Sequence, residues 1–261
     1  MILTPININI HDYPAEFHGI LSGKNVYDSS CSPEARVIFI DKDDGYFLKS
    51  AAKGTLAREA AMTRYFHSKW LGANVLAYLS CECDWLLTEK IHGDDCTTTK
   101  YLEQPERLAE LLGERLALLH SLDFADCPVQ NHTKLYLERA TENKRNDAFD
   151  KSHFPDSFGY ASAKEAWVVV EQYKYSLKTD TLLHGDYCLP NVILNDWQFS
   201  GFIDLDNSGV GDRHVDVFWG AWTLWFNLKT DKYRDRFIDA YGRSKVDEEI
   251  LRAVAACEVF G

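Results

Sequence analysis

The 261-residue chain is short of positive charge. Its 28 lysines and arginines stand against 40 aspartates and glutamates, for a formal net charge of −12. Nucleic-acid binding needs a basic face that neutralises phosphates, so no nucleic-acid partner is expected, and the charge better suits a cationic small molecule. Long apolar runs are also missing: none approaches the roughly 20 residues of a membrane span. Met1 to Ile10 carries no basic stretch followed by an apolar core, so neither a secretory leader nor a membrane partner is expected. The seven cysteines, Cys31, Cys81, Cys83, Cys96, Cys127, Cys188 and Cys257, are odd in number. Their spacing matches no zinc ribbon, and Cys81-Glu82-Cys83 lacks a second pair. Reduced thiols in a cytoplasmic protein are the expectation. There is no internal repeat, low-complexity tract or long linker. Hydrophobic residues nevertheless make up 46% of the chain, enough for a sizeable core and for two lobes or one large domain.

What is present is a polar cluster framed by apolar residues. Leu182-Leu183 leads into His184-Gly185-Asp186-Tyr187-Cys188-Leu189-Pro190-Asn191, and Val192-Ile193-Leu194 leads out. Asn195-Asp196 reads as the turn of a hairpin that returns through Phe199 to Ile203, with Asp204 next. Asp186 and Asn191 are five residues apart. The layout resembles a kinase catalytic loop and its metal-binding partner: H-x-D-x-x-x-x-N, a hairpin, then an aspartate. Phosphoryl transfer needs a carboxylate beside the attacking hydroxyl and oxygen ligands for Mg²⁺. Asp186 suits the first role, Asn191 and Asp204 the second. His-Gly-Asp alone reads equally well as a turn with a capping aspartate; the full spacing favours the catalytic reading. The hairpin is expected to set Asn191 and Asp204 on neighbouring strands, within reach of one ion.

Residues 1 to about 90 read as strands with one helix. Ile20 to Tyr27 looks like a strand, a turn and a strand, and a nucleotide loop belongs here, with Ser22 beside the single Gly23. Arg36-Val37-Ile38-Phe39-Ile40 is a β-branched strand. Asp43-Asp44-Gly45 is a turn, and Tyr46-Phe47-Leu48-Lys49 returns. A lysine ending an apolar strand needs a partner, and Glu59 lies one turn into a helix that Thr55 is expected to cap and that runs to about Trp70. In kinases such a pair orients the ATP phosphates. Asp84 to Gly93 reads as a strand ending in a linker, the place of a kinase hinge, where backbone groups hold the adenine.

From Pro105 the pattern is helical, with Leu108, Leu111, Leu112, Leu116 and Leu119 on one face. His120 at its end is expected to serve the helix dipole rather than act as a base. Residues 131 to 178 are polar and aromatic, with a helix from Ala161 to Leu177. A helix from about Val215 carries Phe218, Trp219, Trp222, Trp225 and Phe226, expected mostly in the core. A last helix, Asp247 to Phe260, has Ile250, Val254 and Cys257 at helical spacing.

These segments together resemble the bacterial aminoglycoside 3′-phosphotransferases nearly end to end. The resemblance is carried by His184 to Asn191, Ser200 to Leu205, Gly209 to Asp216, His120 to Asp123 with Cys127-Pro128, and Cys257-Glu258-Val259-Phe260. It implies an α+β, two-lobed, protein-kinase-like fold: a β-rich nucleotide-binding lobe over 1–90 and a larger, mainly helical catalytic and substrate-binding lobe over 91–261, with ATP (or GTP) between them. It implies that Lys49 and Glu59 orient the phosphates, Phe47 stacks on the adenine, Asp186 is the catalytic carboxylate, and Asn191 and Asp204 hold Mg²⁺. Asp156 and Glu258, with Phe260 at the acidic-aromatic terminus, match residues that bind the acceptor. Departures are specific: Cys257 replaces an acid, Asn207 an arginine, Asp206 a glycine, and Trp222, Phe226 and Asn227 stand where an arginine and acids are usual. A pocket less acidic and more aromatic than usual is expected. The implied reaction is ATP-dependent phosphorylation of an aminoglycoside hydroxyl, at the 3′ position, conferring resistance. The alternative is a small-molecule kinase for another amine-bearing alcohol or natural product. A non-catalytic binding protein is disfavoured, since Lys49, Glu59, Asp186, Asn191 and Asp204 are all present.

Overall fold

A computed structural model describes residues 3–149 and 159–261. In chain order the first elements are β1 (Thr4–Ile6), α1 (His18–Leu21), β2 (Asn25–Asp28), β3 (Ala35–Asp41), β4 (Tyr46–Ala52), α2 (Ala57–Ser68), β5 (Val75–Ser80), β6 (Cys83–Glu89) and β7 (Asp94–Asp95). Then come α3 (Thr99–Leu102), α4 (Pro105–Leu119), α5 (His132–Arg145), α6 (Ala163–Tyr173), β8 (Thr181–Leu183), β9 (Val192–Asn195), β10 (Gln198–Phe202) and β11 (Gly209–Gly211). The chain closes with α7 (His214–Leu228), α8 (Arg234–Tyr241) and α9 (Glu248–Glu258). It divides into two units: Met1–Asp95 with Val192–Asp206, and Cys96–Asn191 with Asn207–Gly261.

The first unit is built on an antiparallel sheet in the order β1-β2-β3-β4-β6-β5. The β3–β4 hairpin follows from its sequence. Val37 to Ile40 are β-branched or aromatic and suit a pleated surface, and the turn holds Asp43 at φ 51° and Gly45 at φ 99°, as a tight hairpin requires. Phe17, Leu21, Val26, Ile38, Ile40, Leu48 and Leu87 close its core. A second ladder, β10-β9-β7, contains the expected hairpin: Asn195 pairs with Gln198, and Asp196 and Trp197 both have positive φ.

Two local expectations for this unit are corrected. Ile20 and Leu21 lie in the short helix α1, not in a strand, because Leu21 is drawn into the core at 2% exposure. Thr55 does not cap α2. Its hydroxyl donates to the Ala52 carbonyl, and the N-cap residue Leu56 instead gives its N–H to Asp84 Oδ2 at 3.0 Å. Asp84 is fully buried and also accepts from the Tyr78 hydroxyl at 3.0 Å.

The second unit is mainly helical around the short β11–β8 ladder. The leucine face of α4 is buried as expected, apart from the half-buried Leu111. A Cβ on Gly113 would meet the Phe237 carbonyl at 2.4 Å, so that glycine lets α4 and α8 pack backbone to backbone. Helix α6 is shorter than expected at both ends. It starts at Ala163 because Ser162 accepts from the Glu165 N–H while Glu165 accepts from Ala161 N–H, a capping box shifted by one residue. Helix α9 starts where Asp247 accepts from the N–H groups of Glu249 and Ile250. The seven cysteines are free thiols.

Asp84→Ala should cost about 2 kcal/mol or more of unfolding free energy, since it leaves the buried Leu56 N–H and Tyr78 hydroxyl without their acceptor. Urea unfolding measures this; a loss below about 0.5 kcal/mol would remove Asp84 from the role of the α2 cap.

Candidate active site

The second unit carries the His184–Asn191 loop. Strand β8 delivers His184, and the backbone then turns at Gly185, with φ 86°. A Cβ there would lie 2.0 Å from the Asn207 carbonyl oxygen, so only glycine fits. Asp216, in the first turn of α7 and fully buried, accepts from His184 N at 2.8 Å and Gly185 N at 2.7 Å. Its third partner is His120 Nε2 at 3.0 Å. Burial alone would raise the Asp216 pKa, but the hydrogen bonds from His120 and the Gly185 N–H hold it below the usual carboxylate range. Burial lowers the His120 pKa against the pull of Asp216, so the ring is neutral: Nε2–H donates to Asp216, and Nδ1 accepts from the Tyr241 hydroxyl at 2.8 Å. The expected dipole role of His120 is thereby corrected, since a neutral ring joining two helices adds no cation to the end of α4.

The loop presents Asp186, half-buried, between two supports. Asn191 Nδ2 donates to its carboxylate at 2.8 Å and to its carbonyl at 3.0 Å. The Asp186 N–H donates to His184 Nδ1 at 3.3 Å. Downstream, Tyr187 donates its hydroxyl to the Leu112 carbonyl and Leu189 N–H meets Thr223 Oγ1. Asn191 sits in a 3-10 turn before β9, and Asp204 lies beyond the end of β10, so neither is a strand residue as expected.

In the first unit, Lys49 Nζ lies 2.8 Å from Glu59 Oε2 and 3.2 Å from Asp204 Oδ1. Burial would lower the Lys49 pKa, but the two carboxylates outweigh it and raise it, keeping an ammonium at the end of the apolar strand. Asp204 has φ 57°, a left-handed backbone unusual for a non-glycine residue, and its side chain is 51% exposed. Phe47 is half-buried and tilted against Phe39 at 5.2 Å. Ser22 is exposed at the C-cap of α1, its N–H bonded to the His18 carbonyl. The serine-rich connection from β2 to β3 was not singled out by the sequence reading. There Ser30 Oγ accepts from Val37 N at 3.0 Å, and Asp28 accepts from Ser30 N at 2.8 Å.

Among the described residues no cluster of three or more His, Cys, Asp or Glu forms a ready-made metal centre. Magnesium does not need one: it binds through one or two protein oxygens and keeps several waters. The donor chemistry fits, because Asp204 is an exposed carboxylate and Asn191, with its NH₂ turned to Asp186, retains its amide oxygen as an acceptor.

At the end of α9, Glu258 accepts from the Tyr136 hydroxyl at 2.7 Å and from Trp219 Nε1 at 3.2 Å. Burial is the main reason its pKa is raised to about 7, and the charge of Asp186 adds to it. Phe260, expected at the acceptor pocket, is instead 1% exposed and packed against Trp167 and Phe149. Cys257 is likewise buried in the core. Asp156 lies outside the described residues. The aromatic helix also departs from expectation. Only Phe218 of its five large rings is buried; Trp219, Trp222 and Trp225 are half-buried and Phe226 is 46% exposed. Trp222 stacks on Phe226 with centroids 4.9 Å apart and planes 13° apart.

Residues 33–255 match the model of the phosphotransferase enzyme family. A probable aminoglycoside 3′-phosphotransferase of Lactococcus lactis subsp. lactis is 50% identical over 262 residues, covering 99% of both chains. The chain belongs to the phosphotransferase enzyme family. This phosphotransferase also resembles an aminoglycoside 3′-phosphotransferase of Staphylococcus aureus, at 26% identity over 90% of this chain and 93% of the relative. Among solved structures, the crystal structure of an aminoglycoside 3′-phosphotransferase of type VIII superposes with a TM-score of 0.80 at 22% identity, covering 97% and 99% of the two chains. The phosphotransferase therefore has the α+β, protein-kinase-like fold that the motifs implied.

Two measurements probe the electrostatics of the second unit. Asp216→Ala should destabilise the phosphotransferase by about 3 kcal/mol or more in urea unfolding, because it strips a buried network of its one charge; a change within about 1 kcal/mol would show that the loop is held by other means. Glu258 has a folded pKa of about 7, above its ordinary value of 4.5. A raised carboxyl pKa contributes stability that is fully present below the unfolded value and lost as pH rises through the folded one. The urea midpoint should therefore fall more between pH 5 and 8, two chosen conditions spanning this window, in the parent than in Glu258→Gln. Parallel pH profiles would place the raised titration elsewhere.

Proposed function

We propose that this phosphotransferase moves the γ-phosphoryl group of ATP to a hydroxyl of an aminoglycoside, at the 3′ position, and so confers resistance. The observation that carries the reading is the Asp186–Asn191 pair on a loop pinned by Asp216, in a chain 50% identical over its length to a probable aminoglycoside 3′-phosphotransferase. A related phosphotransferase of 19% identity has been solved with ADP and streptomycin, which supports a nucleotide and a small cationic acceptor here. GTP is the alternative donor. The unit bearing Lys49 is read as nucleotide-binding and the unit bearing Asp186 as acceptor-binding. Among the described residues no helix is long and apolar enough to cross a membrane; the place of work in this reading is the cytoplasm, where ATP is at hand.

Each residue has a role set by its surroundings. Asp186 accepts the hydrogen bond of the attacking hydroxyl and orients its lone pair, Asn191 keeping the carboxylate in one rotamer. Lys49, held by Glu59, places an ammonium against the phosphates. Phe47 offers a ring face to the adenine. Asn191 and Asp204 would hold Mg²⁺, which when bound neutralises charge on the phosphates. Glu258, ionised above about pH 7, attracts an acceptor ammonium. A second reading, phosphorylation of another amine-bearing alcohol, is favoured by the stacked, partly exposed rings of Trp222 and Phe226.

Kanamycin- and neomycin-type acceptors, incubated with ATP and followed by product mass, separate the two. The first reading expects one added phosphoryl group; turnover confined to other amino alcohols would install the second. Asp186→Asn should cut kcat by about a hundredfold to ten-thousandfold while leaving the ATP KM within about threefold. Near-parental turnover would take Asp186 out of catalysis.

A further inference from the structure

The carboxylate of Glu258 is held unevenly. Two donors converge on one of its oxygens: the Tyr136 hydroxyl reaches Oε1 at 2.7 Å, and Trp219 Nε1 reaches the same atom at 3.2 Å. Among the described residues Oε2 takes no hydrogen bond. Space beside it is kept by Gly261, where a Cβ would lie 2.7 Å from Oε2. That clearance depends on the path of the backbone after Glu258, and α5 fixes the path. Asn143 Nδ2 donates to the Phe260 carbonyl at 2.7 Å and lies 3.5 Å from that of Gly261. Tyr136 and Asn143 stand about two turns apart, so they share one face of α5. One helix face therefore grips both the side chain of Glu258 and the backbone that follows it. A carboxylate with one oxygen doubly satisfied and the other open is oriented to accept from one further donor.

We propose that Tyr136 and Asn143 are positioning residues for the acceptor: they turn Glu258 so that Oε2 is the oxygen that receives an acceptor ammonium. This deepens the reading above and rests on it. The role needs the phenol and not only its ring. The hydroxyl has a second acceptor, the Val254 carbonyl at 3.3 Å. With Glu258 ionised, the phenolic hydrogen lies on Oε1. With Glu258 protonated, the carboxyl hydrogen on Oε1 points at the Tyr136 oxygen and the phenolic hydrogen turns to Val254. Tyr136 itself gains and loses no proton, since burial and the charge of Glu258 push its pKa well above the usual value. Burial works most strongly against the charge of Glu258, and Asp186 adds to it; Tyr136, Trp219 and Arg139 work the other way. The Cys257 thiol beside it is kept neutral by burial. On the far side of the phenol, His132 stacks at 5.9 Å, and Asp212 adds negative charge. Removing the phenolic hydroxyl thus frees the orientation of Glu258 and moves it toward its neutral form.

Steady-state kinetics and calorimetric titration of the full-length protein with a kanamycin-type acceptor, from about pH 6 to about pH 9, test this. Tyr136→Phe keeps the ring on His132 and loses only the hydroxyl. The acceptor KM and Kd should rise about tenfold near pH 7, while kcat and the ATP KM stay within about twofold. The deficit should shrink as pH rises, because Glu258 ionises later in the variant. Asn143→Ala should raise the acceptor KM about threefold without moving the pH profile, since it holds the backbone and not the carboxyl. Gly261→Ala, which crowds Oε2 from an exposed position, should reproduce the loss of acceptor affinity if Tyr136→Phe does not fold. Acceptor KM and pH profile unchanged in both Tyr136→Phe and Gly261→Ala, in a parent that phosphorylates the acceptor, would overturn the positioning role and leave the proposed reaction standing. A fall in kcat with a rise in both KM values would make Tyr136 merely structural and overturn it likewise. If the parent neither binds nor phosphorylates any aminoglycoside, the reaction falls and the positioning role with it.

Discussion

The arrangement depends on one buried carboxylate. Asp216 is cut off from water, yet its pKa is lowered because two backbone N–H groups and His120 offer it three hydrogen bonds. A charge in that position is tolerable only while every partner is in place. The constraint runs both ways. The loop from His184 to Gly185 can adopt its tight turn, closed against the Asn207 carbonyl, because Asp216 receives the N–H groups that the turn strands. The placement of Asp186 thus rests on Asp216, through the backbone of His184 and Gly185. Helices α4, α7 and α8 meet in the same network through His120 and Tyr241, so packing of the helical unit and presentation of the loop are one problem.

The remaining charges follow the same logic at different depths. Lys49 is kept ionised in a largely apolar strand by two carboxylates, and the more exposed of them, Asp204, is the one read as a metal ligand. Asp204 faces water, with 51% side-chain exposure, whereas Glu59, with 8%, does not. Glu258 represents the opposite compromise. Tyr136 and Trp219 hydrogen-bond it, but burial and the charge of Asp186 keep its pKa near 7. Ionising Glu258 in the folded chain therefore costs more than it does in water.

Much of this was legible in the sequence, and what was not has a common cause. The β3–β4 hairpin, the leucine face of α4 and the turn at Asp196 are set by residues within a few positions of each other, so periodicity and turn chemistry suffice. The cap of α2 comes from Asp84, 28 residues beyond the N–H it serves, and Thr55 was the better local candidate. Asp216 acts on a backbone 31 and 32 residues before it; it stood in a quoted motif without a role, since nothing local tells a buried acceptor from a helix-start acid. The exposure of Trp219 to Phe226 was misjudged for a related reason. A continuous aromatic stripe announces a helix but not how much of the stripe its neighbours cover.

That uncovered stripe changes how an acceptor can be held. On the helix α7 this chain exposes Trp222, half-buried, and Phe226, 46% exposed, stacked on each other. Exposed ion pairs contribute only about 0–1 kcal/mol each and fade with salt, whereas a cation over an aromatic face is worth about 0.5–2 kcal/mol. Exchanging one for the other therefore need not weaken a polycationic ligand; it alters which features of it are read. Charge selects any ammonium of roughly the right spacing, while a flat ring face also requires a partner with an apolar side. The lysine poised on Phe226 shows that the ridge satisfies a cation without a carboxylate.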